Sequence, residues 1–231
     1  MTNLQQYLDR KKRLKAQEFT PRENCGVCGF SKRTCYCHKL KPFDPKITFA
    51  ILIHKLEIER KIATGTMSHL ILENSHLIPG FDYTLDETVN NLVNNPEHFC
   101  VVMYPGRDSL NLSSLTSEQK KLIVPKGKKL VIIVVDGTWC SARHTMRLSQ
   151  NIKNLPRISF SFSKPSRFRI RKQPKIECCA SVEAIHRTIE LLGDSQGYDP
   201  TSRKHDNLLE VFDFVVETQI AMMEDNGTKA Y

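Results

Sequence analysis

Asp136 closes the run Val131-Ile132-Ile133-Val134-Val135 and is followed directly by Gly137-Thr138-Trp139. Successive β-branched residues suit a strand covered on both faces, as in a parallel sheet between helices. In open α/β sheets ligands bind beyond the carboxyl ends of such strands, which is where this carboxylate falls. An acid ending so apolar a strand is costly as pure structure and points to a site; the alternative is a carboxylate that only caps the helix after it. A second group is Cys25, Cys28, Cys35 and Cys37. Four thiolates this close suit a tetrahedral zinc ion, and Gly26 and Gly29 give the short loops that let them converge. His38 could replace one thiol, and buried or redox-active thiols are the other reading. With no position left for water, such a zinc would be structural. Cys100, Cys140, Cys178 and Cys179 lie on apolar segments and are expected in the core.

Basic residues form two sets. Arg10, Lys11, Lys12, Arg13 and Lys15 lie near the N-terminus, and Lys164, Arg167, Arg169, Arg171, Lys172 and Lys175 lie late in the chain, interleaved with Phe168 and preceded by Phe162. One sign of charge mixed with aromatics suits a surface that grips phosphates and stacks on unpaired bases; a solvated charged face is the blander reading. His54, Glu57 and Arg60 follow an apolar segment, with Thr64-Gly65 a turn later, and share an edge with Asp136 if the sheet is parallel. At Tyr104-Pro105-Gly106 another strand ends, where a glycine lets backbone approach a ligand closely. The sequence has neither a GxGxxG fingerprint nor a GxxxxGK[ST] loop, which argues against dinucleotide-binding and NTPase classes.

The elements that must hold these residues alternate. Strands are predicted at 47–53, 75–78, 98–103, 131–135 and 157–162. Helices are predicted at 57–73, 86–94 with Asp86 as cap, 116–122, 139–150 with Thr138 as N-cap, 181–193 and 207–223. The last is amphipathic, with Leu208, Phe212, Val215, Val216 and Ile220 inward, and its charges are all acidic, so it should not face an anion. Residues 1–17 read as a basic helix with Leu4, Tyr7 and Leu14 on one side. This order predicts an α/β fold with a largely parallel sheet flanked by helices. Two parts are expected: 1–45, a basic helix and zinc knuckle, and 46–231, the α/β domain.

The chain has 231 residues, a formal net charge of +9 and a pI near 9.2. That balance favours an anionic partner, nucleic acid ahead of membrane. No apolar run is long enough to span a bilayer, and the polar, basic N-terminus is no secretory signal, so a cytoplasmic protein without disulfides is expected.

Taken in order, these short motifs resemble the DTW-domain family, the tRNA-uridine aminocarboxypropyltransferases. The resemblance runs from Cys25 onward. It covers the four cysteines, His54-x2-Glu57-x2-Arg60 with Thr64-Gly65, Tyr104-Pro105, Asp136-x-Thr138-Trp139 with Ala142, and Ser181-x-Glu183-Ala184 behind a basic loop. Two departures are Ile62-Ala63, where a polar pair is usual, and the Cys-Ala-Ser-Val segment before Glu183. The resemblance implies transfer of the 3-amino-3-carboxypropyl group of S-adenosylmethionine to N3 of a tRNA uridine, with methylthioadenosine leaving. It also implies a SPOUT-like domain knotted toward its C-terminal part. The donor would then lie near Tyr104, Pro105, Gly106, Asp136, Thr138, Trp139, Ser181, Glu183 and Ala184. RNA contacts are expected from His54, Arg60, Thr64, Gly65, Arg143, Arg147, Arg167, Arg169, Arg171 and Lys172. Asp136 would be the general base, provided burial raises its pKa. Arg60 could hold the donor carboxylate or an RNA phosphate; Trp139 could stack on a base or on adenine, or fill the core. A SPOUT methyltransferase and a non-catalytic zinc-knuckle RNA-binding protein are the rival readings. Monomer and homodimer both stay open.

Overall fold

The computed structural model of the protein describes residue 5 and residues 23–58, 62–162, 164–171 and 178–225. The predicted N-terminal helix with its basic cluster, Arg60, Lys172 and Lys175 lie outside the described residues. The chain divides into two compact units, Met1–Cys35 and Tyr36–Tyr231.

In the first unit the backbone folds on itself as a tight knuckle. The amide of Cys25 donates to Phe30 O and that of Gly29 to Cys25 O, while Asn24 and Ser31 form an antiparallel bridge. Gly29 sits at φ +74°, a left-handed conformation that an L side chain would strain.

The second unit is built on a six-stranded, wholly parallel sheet. Its strands are β1 (Thr48–His54), β2 (Ser75–Gly80), β3 (His98–Met103), β4 (Ser109–Asn111), β5 (Lys129–Asp136) and β6 (Arg157–Ser159), in the order β2-β1-β5-β3-β6-β4. Because every pair is parallel, all six strands end at one edge, and β5 delivers Asp136 there between β1 and β3. The apolar run of β5 is buried from Leu130 to Val134 and half-buried at Val135, as expected of a central strand with both faces covered. β6 is inserted between β3 and β4, although only residues 104–108 separate those two strands.

Helices cover both faces. They are α1 (Lys55–Ile58), α2 (Thr64–Ile71), α3 (Glu87–Asn94), α4 (Ser117–Lys121), α5 (Trp139–Leu148), α6 (Ser181–Leu192) and α7 (Asn207–Asp225). Ala50, Leu52, Val102, Val131 and Ile133 pack on one face with Val89 and Leu92 of α3 and Met146 of α5. Side chains alternate along a strand, so Phe49, Ile51, Ile132 and Val134 face the other layer. There α2, α6 and α7 pack on one another, α2 also meeting β1 and α6 meeting β5. Local chemistry sets several helix starts: Asp86, Thr116 and Thr138 each accept a backbone N–H from the first turn of α3, α4 and α5.

Three expectations need correction. The helix expected at 57–73 is two helices, α1 and α2. Ala63 is extended just before α2, which starts so that Gly65 can pack under Asp136. The strand expected at 157–162 stops at Ser159, because the chain then leaves the sheet and Phe160 and Phe162 line a cavity. β4 escaped the sequence reading because it is only a three-residue strand. The interior of α7 is as expected at Leu208, Phe212, Val215 and Val216, with Ile220 half-buried. No helix among the described residues is long and apolar enough to cross a membrane.

Candidate active site

Asp136 is the last residue of β5, and only 6 % of its surface is exposed. Its Oδ1 accepts a hydrogen bond from the hydroxyl of Ser181, the first residue of α6. Thr64 Oγ1 stands 3.4 Å from the same oxygen, and the Gly65 amide donates to the carboxylate. Two helix starts, α2 and α6, therefore meet on one acid. Burial is the chief influence on its pKa and raises it; nearby Glu57 raises it further. The hydrogen bonds from Ser181 and Gly65 and the charge of Arg171 pull the other way without reversing the shift. Such an acid is a stronger base once ionised than a carboxylate in water.

Beside this acid a cavity of about 490 Å³ opens at the strand ends. Its wall comes from residues after β3 (Tyr104, Pro105), around the β5 turn (Gly137, Trp139, Ala142), after β6 (Phe160, Phe162) and at the start of α6 (Ser181, Ala184). Size, apolar wall and few polar groups suit a small organic ligand. Trp139 is 40 % exposed, so it is not a core filler, and its ring lies edge-on to Tyr104 at 6.3 Å. Arg157 stacks over the Tyr104 ring, 5.6 Å from its centre. Asp136 itself stands just behind the wall, and Ser181 is the group that both faces the cavity and bonds to it.

Of the expected donor contacts, Tyr104, Pro105, Trp139, Ser181 and Ala184 line the cavity, whereas Gly106, Thr138 and Glu183 do not. Thr138 caps α5. Glu183 is buried and organises the chain: its carboxylate accepts the Ala180 amide at 2.7 Å, the Arg167 amide at 2.8 Å and the Ser166 hydroxyl at 2.5 Å. It thus ties the basic segment 164–171 to the start of α6. Cys178 is buried as expected and Cys179 half-buried, and both also line the cavity, whereas Cys140, expected in the core, is exposed. Phe160 and the cysteine pair were missed because each reads locally as interior. Their only signal is adjacency to β6 and α6, whose ends fall at the same sheet edge.

A second, shallow cleft lies at the same edge, lined by His54, Thr138, Cys140, Ser141, Arg143, His144 and Arg147. His54 and the α5 arginines therefore meet at one surface. Arg167 and Arg169 are placed otherwise. They pair with Asp213 and Glu217 of α7, the first at 2.5 Å, so the acidic helix faces the basic segment rather than standing apart from it. Arg171 lies over Phe168, 5.9 Å from the ring centre.

The thiols of Cys25, Cys28, Cys35 and Cys37 form a group whose sulfurs all lie within 4.8 Å of one another, and none is in a disulfide. Cys28 and Cys35 are 3.7 Å apart, against about 3.8 Å for two thiolates on a tetrahedral zinc with ~2.3 Å bonds. The group could hold zinc.

Curated relatives share part of this chain. A mouse protein called tRNA-uridine aminocarboxypropyltransferase 2 is 22 % identical over 175 residues, covering 74 % of this chain and 57 % of its own. A Drosophila melanogaster protein of the same name is 23 % identical over 181 residues, covering 74 % of this chain and 67 % of its own. The chain thus spans little more than half the length of the mouse relative. No solved structure matches it. The family model described as "DTW domain" matches residues 22–220, from the cysteine knuckle through the carboxylate and its cavity into α7, and the chain belongs to the DTW domain family.

Proposed function

We propose that the protein modifies a tRNA uridine by transferring the 3-amino-3-carboxypropyl group of S-adenosylmethionine to N3. The observation that carries this reading is Asp136, a buried acid with a raised pKa set against an aromatic-walled cavity, in a DTW domain whose relatives bear that activity in their names. The donor supplies an activated carbon bonded to a sulfonium. What the chain must add is alignment and removal of the weakly acidic N3 proton. Tyr104, Trp139, Phe160 and Phe162 offer faces for the adenosine moiety. The N3 proton passes to Asp136, with Ser181 as the relay, since Ser181 is the group that touches both the cavity and the acid. N3 then bonds to the donor carbon, the carbon–sulfur bond breaks, and the sulfur leaves with the electron pair as methylthioadenosine.

His54, Arg143 and Arg147 suit the phosphates beside the modified base. Arg171, the described basic residue whose charge reaches Asp136, suits the donor or an adjoining phosphate. Zinc at the four thiolates would be structural. The insertion of β6 between β3 and β4 supports a SPOUT-like, threaded topology.

Trp139 makes donor binding directly readable, since it is the only tryptophan in the chain and lines the cavity. S-adenosylmethionine is expected to change its fluorescence saturably, and methylthioadenosine should do the same. Fluorescence that stays flat up to millimolar donor would remove the cavity from the donor site.

A further inference from the structure

The geometry points to a second metal site, for a zinc-class divalent ion, formed by His186 Nε2, His205 Nε2 and Asp206 Oδ1 in the second unit. Each of the three residues offers a ligand atom within 4.8 Å of the other two, and no cysteine takes part. His186 Nε2 is 2.9 Å and His205 Nε2 is 3.8 Å from Asp206 Oδ1. Ligand atoms on a tetrahedral ion with ~2.0 Å bonds stand about 3.3 Å apart, so the observed separations straddle the required value. Two imidazoles and one carboxylate form a donor set that suits zinc and cobalt better than magnesium or calcium.

The independent sign of a missing ligand is His205. Its side chain is fully buried, and its Nε2 has no hydrogen-bond partner. The other ring nitrogen, Nδ1, lies 3.1 Å from the Tyr198 hydroxyl. If Nδ1–H donates to Tyr198, the bare Nε2 lone pair points into the cluster, which is the tautomer a metal ligand needs. If Nε2 carries the proton instead, it is a buried donor without an acceptor, Asp206 Oδ1 being too far away at 3.8 Å. Either state is costly without an ion, and an ion at the cluster satisfies the first. Asp206 has an outer anchor of the kind that ligating carboxylates have: Arg203 Nε donates to Oδ2 at 2.7 Å. Arg203 Nη2 also reaches Oδ1 at 2.7 Å, and ion entry would displace that one nitrogen. His186 belongs to α6, while His205 and Asp206 lie in the turn that leads into α7. The ion would therefore clip α6, the helix whose start carries Ser181, to the following helix.

Cobalt(II) added to untagged protein with zinc at its thiolates tests this. The expected result is a visible d–d band without thiolate-to-cobalt charge transfer, saturating at one equivalent and abolished by excess zinc. His186→Gln and Asp206→Asn should each weaken binding about tenfold or more. Thermal unfolding should shift upward with cobalt in the wild type and not in the variants. No band at about 1 mM cobalt, or a band with thiolate charge transfer alone, would overturn the site, as would equal affinity in the wild type and both variants.

Discussion

Asp136→Asn is expected to reduce turnover about 10²–10⁴-fold, the usual contribution of a positioned base, while RNA affinity stays within a factor of about two. Asparagine preserves the shape of the site. Its oxygen can accept the Gly65 amide and its nitrogen can donate to Ser181, so the loss would report the missing proton acceptor rather than disorder. Full turnover in this variant would remove Asp136 as the base. Stability should move in the opposite direction. Burial holds the folded pKa of Asp136 above its ordinary value. The fold therefore prefers the protonated acid, and the stability this residue contributes is fully present below its unfolded pKa and lost as pH rises through the raised folded value. Asp136→Asn cannot ionise, so it should be the more stable protein at neutral pH, with the difference shrinking toward about pH 4. Equilibrium unfolding across this range checks the sign; a variant less stable than wild type at neutral pH would contradict it.

Gly65→Ala should impair activity far beyond its effect on stability. A Cβ at this position would lie 2.7 Å from Asp136 Oδ2, 3.1 Å from its carboxyl carbon and 3.0 Å from Ile51 Cγ2. Both neighbours are buried, and Asp136 is held by Ser181, so the carboxylate must turn away. Crowding of this kind costs about 1–3 kcal/mol. Against it, alanine gains up to about 1 kcal/mol of helix propensity over glycine within α2. The balance is a fall of a few degrees in Tm for a protein of this size. A base displaced by about 1 Å costs on the order of 10²-fold in rate. Steady-state kinetics beside a melting curve separates the two effects. Unchanged kcat would mean that the placement of this carboxylate does not matter to the chemistry.

Why so much of the site could be read in advance, and some of it not, follows from how local each signal is. The β5 run, the caps Asp86 and Thr138, and the acid at the strand end depend on neighbours in sequence, and each is where its local chemistry puts it. The break before α2 does not. Nothing in Ile62-Ala63 forbids a helix, and the reason for the break, room for Asp136 above Gly65, lies on a strand far along the chain. Cys178 is buried and Cys179 half-buried, as small apolar residues tend to be, yet the turn into α6 also brings both to the cavity wall. The charge clusters depend on packing in a different way. Arg167 and Arg169 signal an anion, and the anions they meet are Asp213 and Glu217 of α7. His186, His205 and Asp206 carried no signal at all, since their meeting depends on how α6 packs against the turn before α7.

The most direct test of the central claim uses S-adenosylmethionine labelled separately in its carboxyl carbon and in its methyl carbon, with unmodified tRNA as acceptor. Aminocarboxypropyl transfer predicts that the carboxyl label enters tRNA uridine while the methyl label leaves on methylthioadenosine. Methyl label in the tRNA, with the carboxyl label retained on S-adenosylhomocysteine, would contradict the account and identify a methyltransferase. Neither label entering any tRNA, with RNA still bound, would contradict it in favour of a binding protein.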